Sequence, residues 1–151
     1  MKRKQSRHAP PASRVQETSV APAIKGKEDE GFGEIEEIRN GLPVEDFFEL
    51  QTKLAVGTAQ LAGVLGIPVR TLQRRKEEGR LTKEESDRLD RVRQLVAQAT
   101  GVFESEDTAR EWLTRPQIGL AGFIPLDLAD TGAGIREVEN LLGRIDYGVY
   151  A

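Results

Sequence analysis

Side chains that can bind nucleic acid are grouped in one short segment of this sequence. They follow a Gly-Ile-Pro stretch and are Arg70, Thr71, Gln73, Arg74, Arg75, Lys76 and Arg80. Arginine bonds the edge of guanine, glutamine that of adenine and threonine either, while lysine neutralises phosphate. No acidic residue lies between Pro68 and Lys76. We therefore predict that this segment binds DNA, mainly through the exposed face of one helix.

A tight turn before this segment should hold it against a preceding helix. Thr58 is the predicted N-cap of a helix that ends near Gly66, and Pro68 suits the first turn of a second helix that ends at Gly79. Ala62 is small enough to let the two helices cross closely. The pattern predicts a helix-turn-helix, whose buried contacts would be Leu65, Ile67 and Leu72. The alternative is an ordinary solvated basic surface on a short helix pair.

Helical signals also dominate the rest of the chain. Pro43 starts one helix, and Thr82 with Glu85 three residues later forms a capping box for a long one. Ser105 can cap a short helix that Pro116 stops, and a helical turn is predicted over 125–129. The last helix should begin near Ile135 and repeats apolar residues at 3-4-3-4 spacing: Ile135, Val138, Leu142, Ile145 and Val149. The predicted fold class is all-α.

The chain is predicted to have three parts. Residues 1–30 form a Pro-rich, basic arm that cannot bury enough apolar surface to order itself. Residues 31–100 form the helix-turn-helix domain with a long linking helix, and residues 101–151 a small helical domain. The net charge of −3 is segregated, because residues 101–151 carry nine acids against four arginines, a balance of −5. A basic middle and an acidic end suggest two different partners.

The sequence contains few of the side chains that usually carry out catalysis. The absence of cysteine excludes thiol nucleophiles and cysteine-bound metals, and His8, the single histidine, lies in the arm. We therefore expect no enzyme, catalytic residue, metal site or cofactor. No segment approaches the roughly 18 consecutive apolar residues of a membrane span, and no secretory signal is recognisable. The expected location is the cytoplasm, without membrane contact.

The end of the chain is unusually apolar. Residues 145–151 contain two tyrosines, an isoleucine and a valine, whereas chain ends are generally polar. Leu141, Tyr147, Val149 and Tyr150 exceed what one buried stripe of so small a domain requires. Surplus apolar surface beside acidic residues indicates a protein-binding site.

Three stretches of this sequence resemble a known family: "GRLTKEESDRLDRVRQLVAQATGVF", "AREWL" and "PLDLADTGAGIREVENLLGRIDYGVYA". Together they resemble the Xre/MbcA/ParS-like antitoxins of RES–Xre toxin–antitoxin systems, over about residues 43–151. The resemblance implies a dimer in which an Xre-like helix-turn-helix precedes a toxin-binding domain. It further implies that the C-terminal part blocks the active site of a RES-domain toxin that uses NAD. The complex would repress its own operon by binding operator DNA.

The resemblance also assigns residues. Trp112, Leu113, Pro125, Leu126 and the stripe over 135–142 would form the framework of the toxin-binding domain. The toxin-facing residues would be Leu141, Arg144, Ile145, Asp146, Tyr147, Gly148, Val149, Tyr150 and Ala151. The sequence departs from the family pattern at Leu120-Ala121-Gly122-Phe123, where Leu-Gly-Gly is expected with a proline two residues on. It departs again at Leu128-Ala129, where a leucine pair is usual.

Two other readings fit the same helices. One is a stand-alone helix-turn-helix repressor whose C-terminal helix only dimerises. The other is a helical interaction module that has lost DNA binding. A helix used only for dimerisation needs no aromatic end beyond its last turn, which favours the antitoxin.

Overall fold

The computed structural model of the chain describes residues 27–148. Residues up to Glu34 and those from Ile35 onward form two separate units. The helices are α1 (Lys27–Asn40), α2 (Val44–Leu54), α3 (Thr58–Val64), α4 (Val69–Glu78), α5 (Lys83–Phe103), α6 (Glu106–Thr114), α7 (Pro125–Leu128) and α8 (Gly132–Asp146). Together with a 3-10 turn at Ile118–Leu120, they confirm the predicted all-α class; between residues 27 and 148 there is no strand.

The predicted arm is too long at its C-terminal end. Helix α1 begins at Lys27, so residues 27–30 are helical rather than part of an irregular arm. Residues 1–26, including His8, lie outside the described residues. The sequence predicted no helix before Pro43, so α1 was not anticipated.

The turn between α3 and α4 has the predicted geometry. Gly66 adopts a left-handed backbone with φ 66°, which glycine does at little cost. The Ile67 N–H donates to the Ala62 carbonyl at 2.9 Å, and Ala62 is fully buried. Helix α4 ends at Gly79, again left-handed. A small residue and a glycine therefore fix this pair of helices as expected.

Three predicted helix starts are displaced by one residue, and at the first of them Pro43 is the N-cap of α2 rather than its first helical residue. Gly57, not Thr58, occupies the N-cap of α3, and the Thr58 hydroxyl instead donates to the Gln51 side chain at 3.1 Å. Pro68 is the N-cap of α4 rather than its first helical residue. The Thr58 hydroxyl therefore bonds a side chain on the preceding helix instead of capping its own helix.

Helix α5 begins at the predicted capping box. The Thr82 hydroxyl accepts from the Glu85 N–H at 3.2 Å, and the Glu85 carboxylate accepts from the Thr82 N–H at 2.9 Å. Its apolar stripe is buried: Leu89, Val92, Val96 and Ala99. Helix α5 packs against both α6 and α8. Residues of the helix-turn-helix and of the C-terminal helices consequently share one continuous hydrophobic core within residues 35–148.

The C-terminal helices begin at identifiable caps. The Ser105 hydroxyl accepts from the Thr108 N–H at the start of α6, as predicted, and Pro125 opens α7. Helix α8 starts at Gly132, one turn before the predicted Ile135, because the Thr131 hydroxyl caps the Gly134 N–H at 3.0 Å. A side chain at Gly134 would collide with the Leu128 carbonyl, so this glycine permits α8 to approach α7.

The loop before α7 holds a strained residue. Ala121 has φ 55°, a left-handed conformation that costs an L-residue about 1–2 kcal/mol. We expect Ala121→Gly to raise the free energy of unfolding by about 1 kcal/mol, measured by urea denaturation. Ala97→Gly in the exposed interior of α5 is the matched control and should lower it by a similar amount. Equal losses in both variants would contradict strain at Ala121.

Candidate functional sites

The outer face of α4 carries most of the predicted DNA-binding side chains. Leu72 is buried and turns the helix so that the opposite side faces solvent. On that side Arg70, Gln73, Arg74 and Lys76 are exposed, and Thr71 is half-buried. The Arg74 side chain is 62% exposed, with only a loose contact of 3.7 Å to Glu78. This face can donate hydrogen bonds to bases and phosphates.

Two basic residues at the edge of this face are held in place. The Lys76 ammonium lies 4.9 Å from the centre of the Phe48 ring on α2, a cation–π distance. The Arg80 guanidinium donates to the Gly41 carbonyl at 2.8 Å. Both residues remain exposed. Their positive charges are therefore kept beside α4 rather than extended into solvent.

The prediction that Arg75 lies on the exposed face is wrong. Its side chain is 11% exposed and pairs with Glu85, which is 10% exposed. The Arg75 Nε lies 2.7 Å from one Glu85 oxygen and a terminal nitrogen 3.2 Å from the other. A third bond, of 3.1 Å, reaches Glu78. Arg75 therefore joins α4 to the start of α5 instead of facing solvent.

The pair holds both groups in their charged forms. The hydrogen bonds that Arg75 donates to the Glu85 carboxylate raise the pKa of Arg75 above its ordinary value. For Glu85, burial pushes the pKa upward, but the bonds from Arg75 and the Thr82 N–H together outweigh it, so the pKa is lowered. Glu85 could have been recognised as a partner from its place in the capping box, which fixes its carboxylate at the start of α5. Nothing local identified which arginine it would meet.

The described toxin-facing candidates lie at the end of α8 in two environments. Leu141, Arg144 and Ile145 are half-buried, whereas Asp146, Tyr147 and Gly148 are exposed. Tyr147 is 85% exposed. The remaining candidates, residues 149–151, lie outside the described residues. A tyrosine with an exposed apolar ring and a polar hydroxyl is well suited to contact another protein.

Leu141 is less available than the sequence indicated. Its methyl groups pack against Gly119, where an added Cβ would come within 2.8 Å of them. Arg144, one turn later, has a buried Nε without a hydrogen-bond acceptor among the described residues. The surplus apolar surface is thus concentrated past Leu141, toward the end of α8.

The framework residues assigned by resemblance are mostly in the core. Those that are buried are Leu113, Pro125, Leu126, Ile135, Val138 and Leu142. Trp112 is half-buried, with its ring 5.5 Å from that of Phe103. They bring α6, α7 and α8 together and hold the end of α8 at the surface.

Ile118 and Phe123 lie at the surface, which their sequence did not predict. Ile118 is 98% exposed and Phe123 58% exposed, on either side of the strained Ala121. The available signal was their position in a stretch punctuated by glycines. Among residues 27–148, no cluster of histidine, cysteine or acidic side chains could hold a metal. No helix there is long and apolar enough to cross a membrane.

Two family models match this arrangement consecutively. The antitoxin Xre-like helix-turn-helix domain matches residues 33–94, and the antitoxin Xre/MbcA/ParS C-terminal toxin-binding domain matches residues 98–148. The first therefore includes α4, and the second includes the whole of α8 and the exposed Tyr147. The order of the two domains is the one predicted by resemblance.

Three relatives carry the printed name Antitoxin Xre. The protein from Photorhabdus laumondii is 32% identical over 114 residues, covering 74% of this chain and 77% of the relative. That from Yersinia enterocolitica is 31% identical over 119 residues, with 78% and 80% covered. That from Pseudomonas putida is 39% identical over 83 residues, with 54% and 52% covered.

The chain belongs to the Xre antitoxin family, with a helix-turn-helix domain followed by a toxin-binding domain. The predicted family is thereby confirmed. Membership indicates a regulator that acts by binding, with a toxin and DNA as the classes of partner.

Proposed function

We propose that this chain neutralises a RES-domain toxin that consumes NAD, by inserting its C-terminal end into the toxin's active site. The observation that carries this proposal is Tyr147, 85% exposed at the end of α8 in the region that matches the toxin-binding family model. The toxin-contacting residues would be those from Arg144 to Ala151, with Leu141 at the edge. Inhibition of this kind needs only occupancy of the site, and no catalytic group.

Charge supports the same proposal. A site that binds the pyrophosphate of NAD is expected to carry positive charge. Residues 101–151 have nine acids against four arginines, a balance of −5, and Asp146 lies beside the exposed Tyr147. Opposite charge accelerates the encounter of two proteins and fixes their orientation.

The direct test is NAD consumption by the protein that the neighbouring gene encodes, which the proposal expects to be a RES-domain toxin. The purified toxin should consume NAD, and the full chain should suppress that consumption at equimolar concentration. Consumption that the full chain leaves untouched would refute the inhibition. The helix-turn-helix would then be the sole functional site, as in a stand-alone repressor whose C-terminal helix only dimerises.

We further propose that the chain represses its own operon as a homodimer. Helix α4 would enter the major groove, with Arg70, Gln73 and Arg74 toward the bases. Thr71, Lys76 and Arg80 would contact the DNA backbone beside them. In a dimer the two copies of α4 would bind half-sites about one helical turn apart. The support is the exposed, basic outer face of α4 and its match to the antitoxin helix-turn-helix family.

Arg74 provides the test of DNA binding. Arg74→Ala should weaken binding to the operon's promoter by about 1–3 kcal/mol if it contacts a base, or reduce the salt slope by about one if it contacts phosphate. Gel-shift titrations at several salt concentrations distinguish the two. Arg115→Ala is the matched control, since Arg115 is also exposed and also faces a glutamate four residues away, at 3.8 Å. If both variants bound the promoter with the same affinity and salt slope as the wild type, this face of α4 would be excluded as the DNA-binding surface.

A further inference from the structure

The loop between α6 and α7 is held in one shape by its own hydrogen bonds. The Gln117 N–H donates to the Phe123 carbonyl at 3.1 Å, and the Gln117 carbonyl accepts from the Leu120 and Gly122 N–H groups at 3.0 and 2.9 Å. The Gln117 side chain donates to the carbonyls of Trp112 and Arg115 at 2.8 and 3.1 Å. Leu120 is buried and anchors the loop in the core. The loop is therefore ordered before any partner binds.

This loop presents apolar side chains to solvent. Ile118 is 98% exposed and Phe123 58% exposed, and between them Ala121 is kept in a left-handed conformation. Strained backbone of this kind persists where the surrounding structure imposes it, and it is frequent at binding sites. Apolar side chains on a rigid loop lose little conformational entropy when a partner covers them. These are the properties of residues that dominate the affinity of protein interfaces.

The loop continues the surface formed by the end of α8. Gly119 lies directly against the side chain of Leu141. On α8, Leu141 shares one face with Arg144 and Ile145, which follow at three and four residues. This face runs from the loop to the proposed toxin-binding end. The loop, whose turn at Ile118–Leu120 packs on α8, therefore lies next to the residues proposed to bind the toxin.

We propose that Ile118 and Phe123 form a second contact with the toxin, outside its NAD site. The inference rests on the proposed function and divides it between two segments. The loop supplies affinity through buried apolar area, whereas residues 146–151 supply the block of the active site. The toxin should accordingly carry an apolar depression next to the entrance of its NAD site.

The test uses the full chain with Ile118→Ser, and with Ile118→Ser and Phe123→Ser together. Binding to the toxin that the neighbouring gene is expected to encode is measured by calorimetry, and NAD consumption is titrated with each variant. We expect the dissociation constant to rise about tenfold or more for Ile118→Ser and further for the double variant. Saturating amounts of either variant should still inhibit completely. Because Ile118 is almost fully exposed, its replacement should leave the melting temperature unchanged.

Ile35→Ser is the matched control, since Ile35 is an exposed isoleucine on α1. It should bind the toxin as the wild type does. Wild-type affinity of the Ile118→Ser variant would overturn the second contact while leaving the proposed inhibition intact. If the Ile118→Ser variant lost self-association but bound the toxin as the wild type does, the second contact would likewise be overturned. The loop would then be assigned to contact with a second copy of this chain. Absence of toxin binding by the wild type would refute both proposals.

Discussion

A chain that ends at Ile145 is expected to lose inhibition of the toxin while keeping its fold. The truncation removes Asp146, Tyr147 and Gly148, all exposed, together with the last three residues. The core positions of α8, Val138 and Leu142, remain. Removing the residues at the centre of an interface typically costs 2 kcal/mol or more, about thirtyfold in affinity. Removing the segment that occupies the active site should abolish maximal inhibition, which no excess of antitoxin restores.

The measurement is NAD consumption by the RES-domain toxin, titrated with the full and truncated chains. Thermal unfolding followed by circular dichroism tests the fold of each. A chain of full length whose last six residues are replaced by glycine and serine is the matched control, because it keeps the length and removes the side chains. It should fail to inhibit, as the truncation does. Complete inhibition by the truncated chain would show that the block lies elsewhere.

Glu85→Ala is expected to destabilise the chain by about 3 kcal/mol or more. The change leaves the Arg75 guanidinium, 11% exposed, with only the exposed Glu78 as a partner. Removing one member of a buried ion pair costs about 3–5 kcal/mol, since the remaining charge is poorly solvated. The Thr82 N–H at the start of α5 also loses its acceptor. Such a loss is a large part of the 5–15 kcal/mol that stabilises a typical domain.

Urea denaturation near neutral pH measures this loss. Glu84→Ala is the matched control, because Glu84 occupies the same first turn of α5 but is exposed. It should cost no more than about 0.3–1 kcal/mol through the helix dipole. Equal losses for Glu84→Ala and Glu85→Ala would contradict a stabilising buried pair.

The same pair predicts a dependence on pH. The pKa of Glu85 is lowered in the folded chain, so at acid pH the unfolded chain binds the additional proton first. The stabilisation is complete above the ordinary glutamate pKa of about 4.3 and is lost as the pH falls through the lowered pKa. The difference in stability between the wild type and Glu85→Gln should therefore shrink at acid pH. A constant difference between neutral pH and about pH 3 would contradict it.

These outcomes also separate the roles of two neighbouring arginines. Arg74 faces solvent, so its replacement should change DNA binding with little change in stability. Arg75 is paired with Glu85 across α4 and α5, so its replacement acts on the fold, and any weaker DNA binding would follow from that. The adjacent positions thus serve as mutual controls in the same assays.

Local sequence signals determined the ends of several helices. The capping box of Thr82 and Glu85, the glycine turn at Gly66 and the proline at Pro125 each act through bonds or backbone preferences within one helical turn. Such signals need no distant partner, so they could be read directly from the sequence. The family could likewise be recognised from short stretches of sequence.

Tertiary structure alone decided which candidate side chains face solvent. Arg75 faces inward because it pairs with Glu85, which lies ten residues away on another helix. Leu141 is half-buried because Gly119 lies against it. Ile118 is exposed because Leu120, rather than Ile118, packs into the core. Burial depends on contacts between segments far apart in the chain, and the free energy of those contacts is not encoded in any one helix. The sequence therefore determined the helices and the family, and packing determined which of their residues are free to bind.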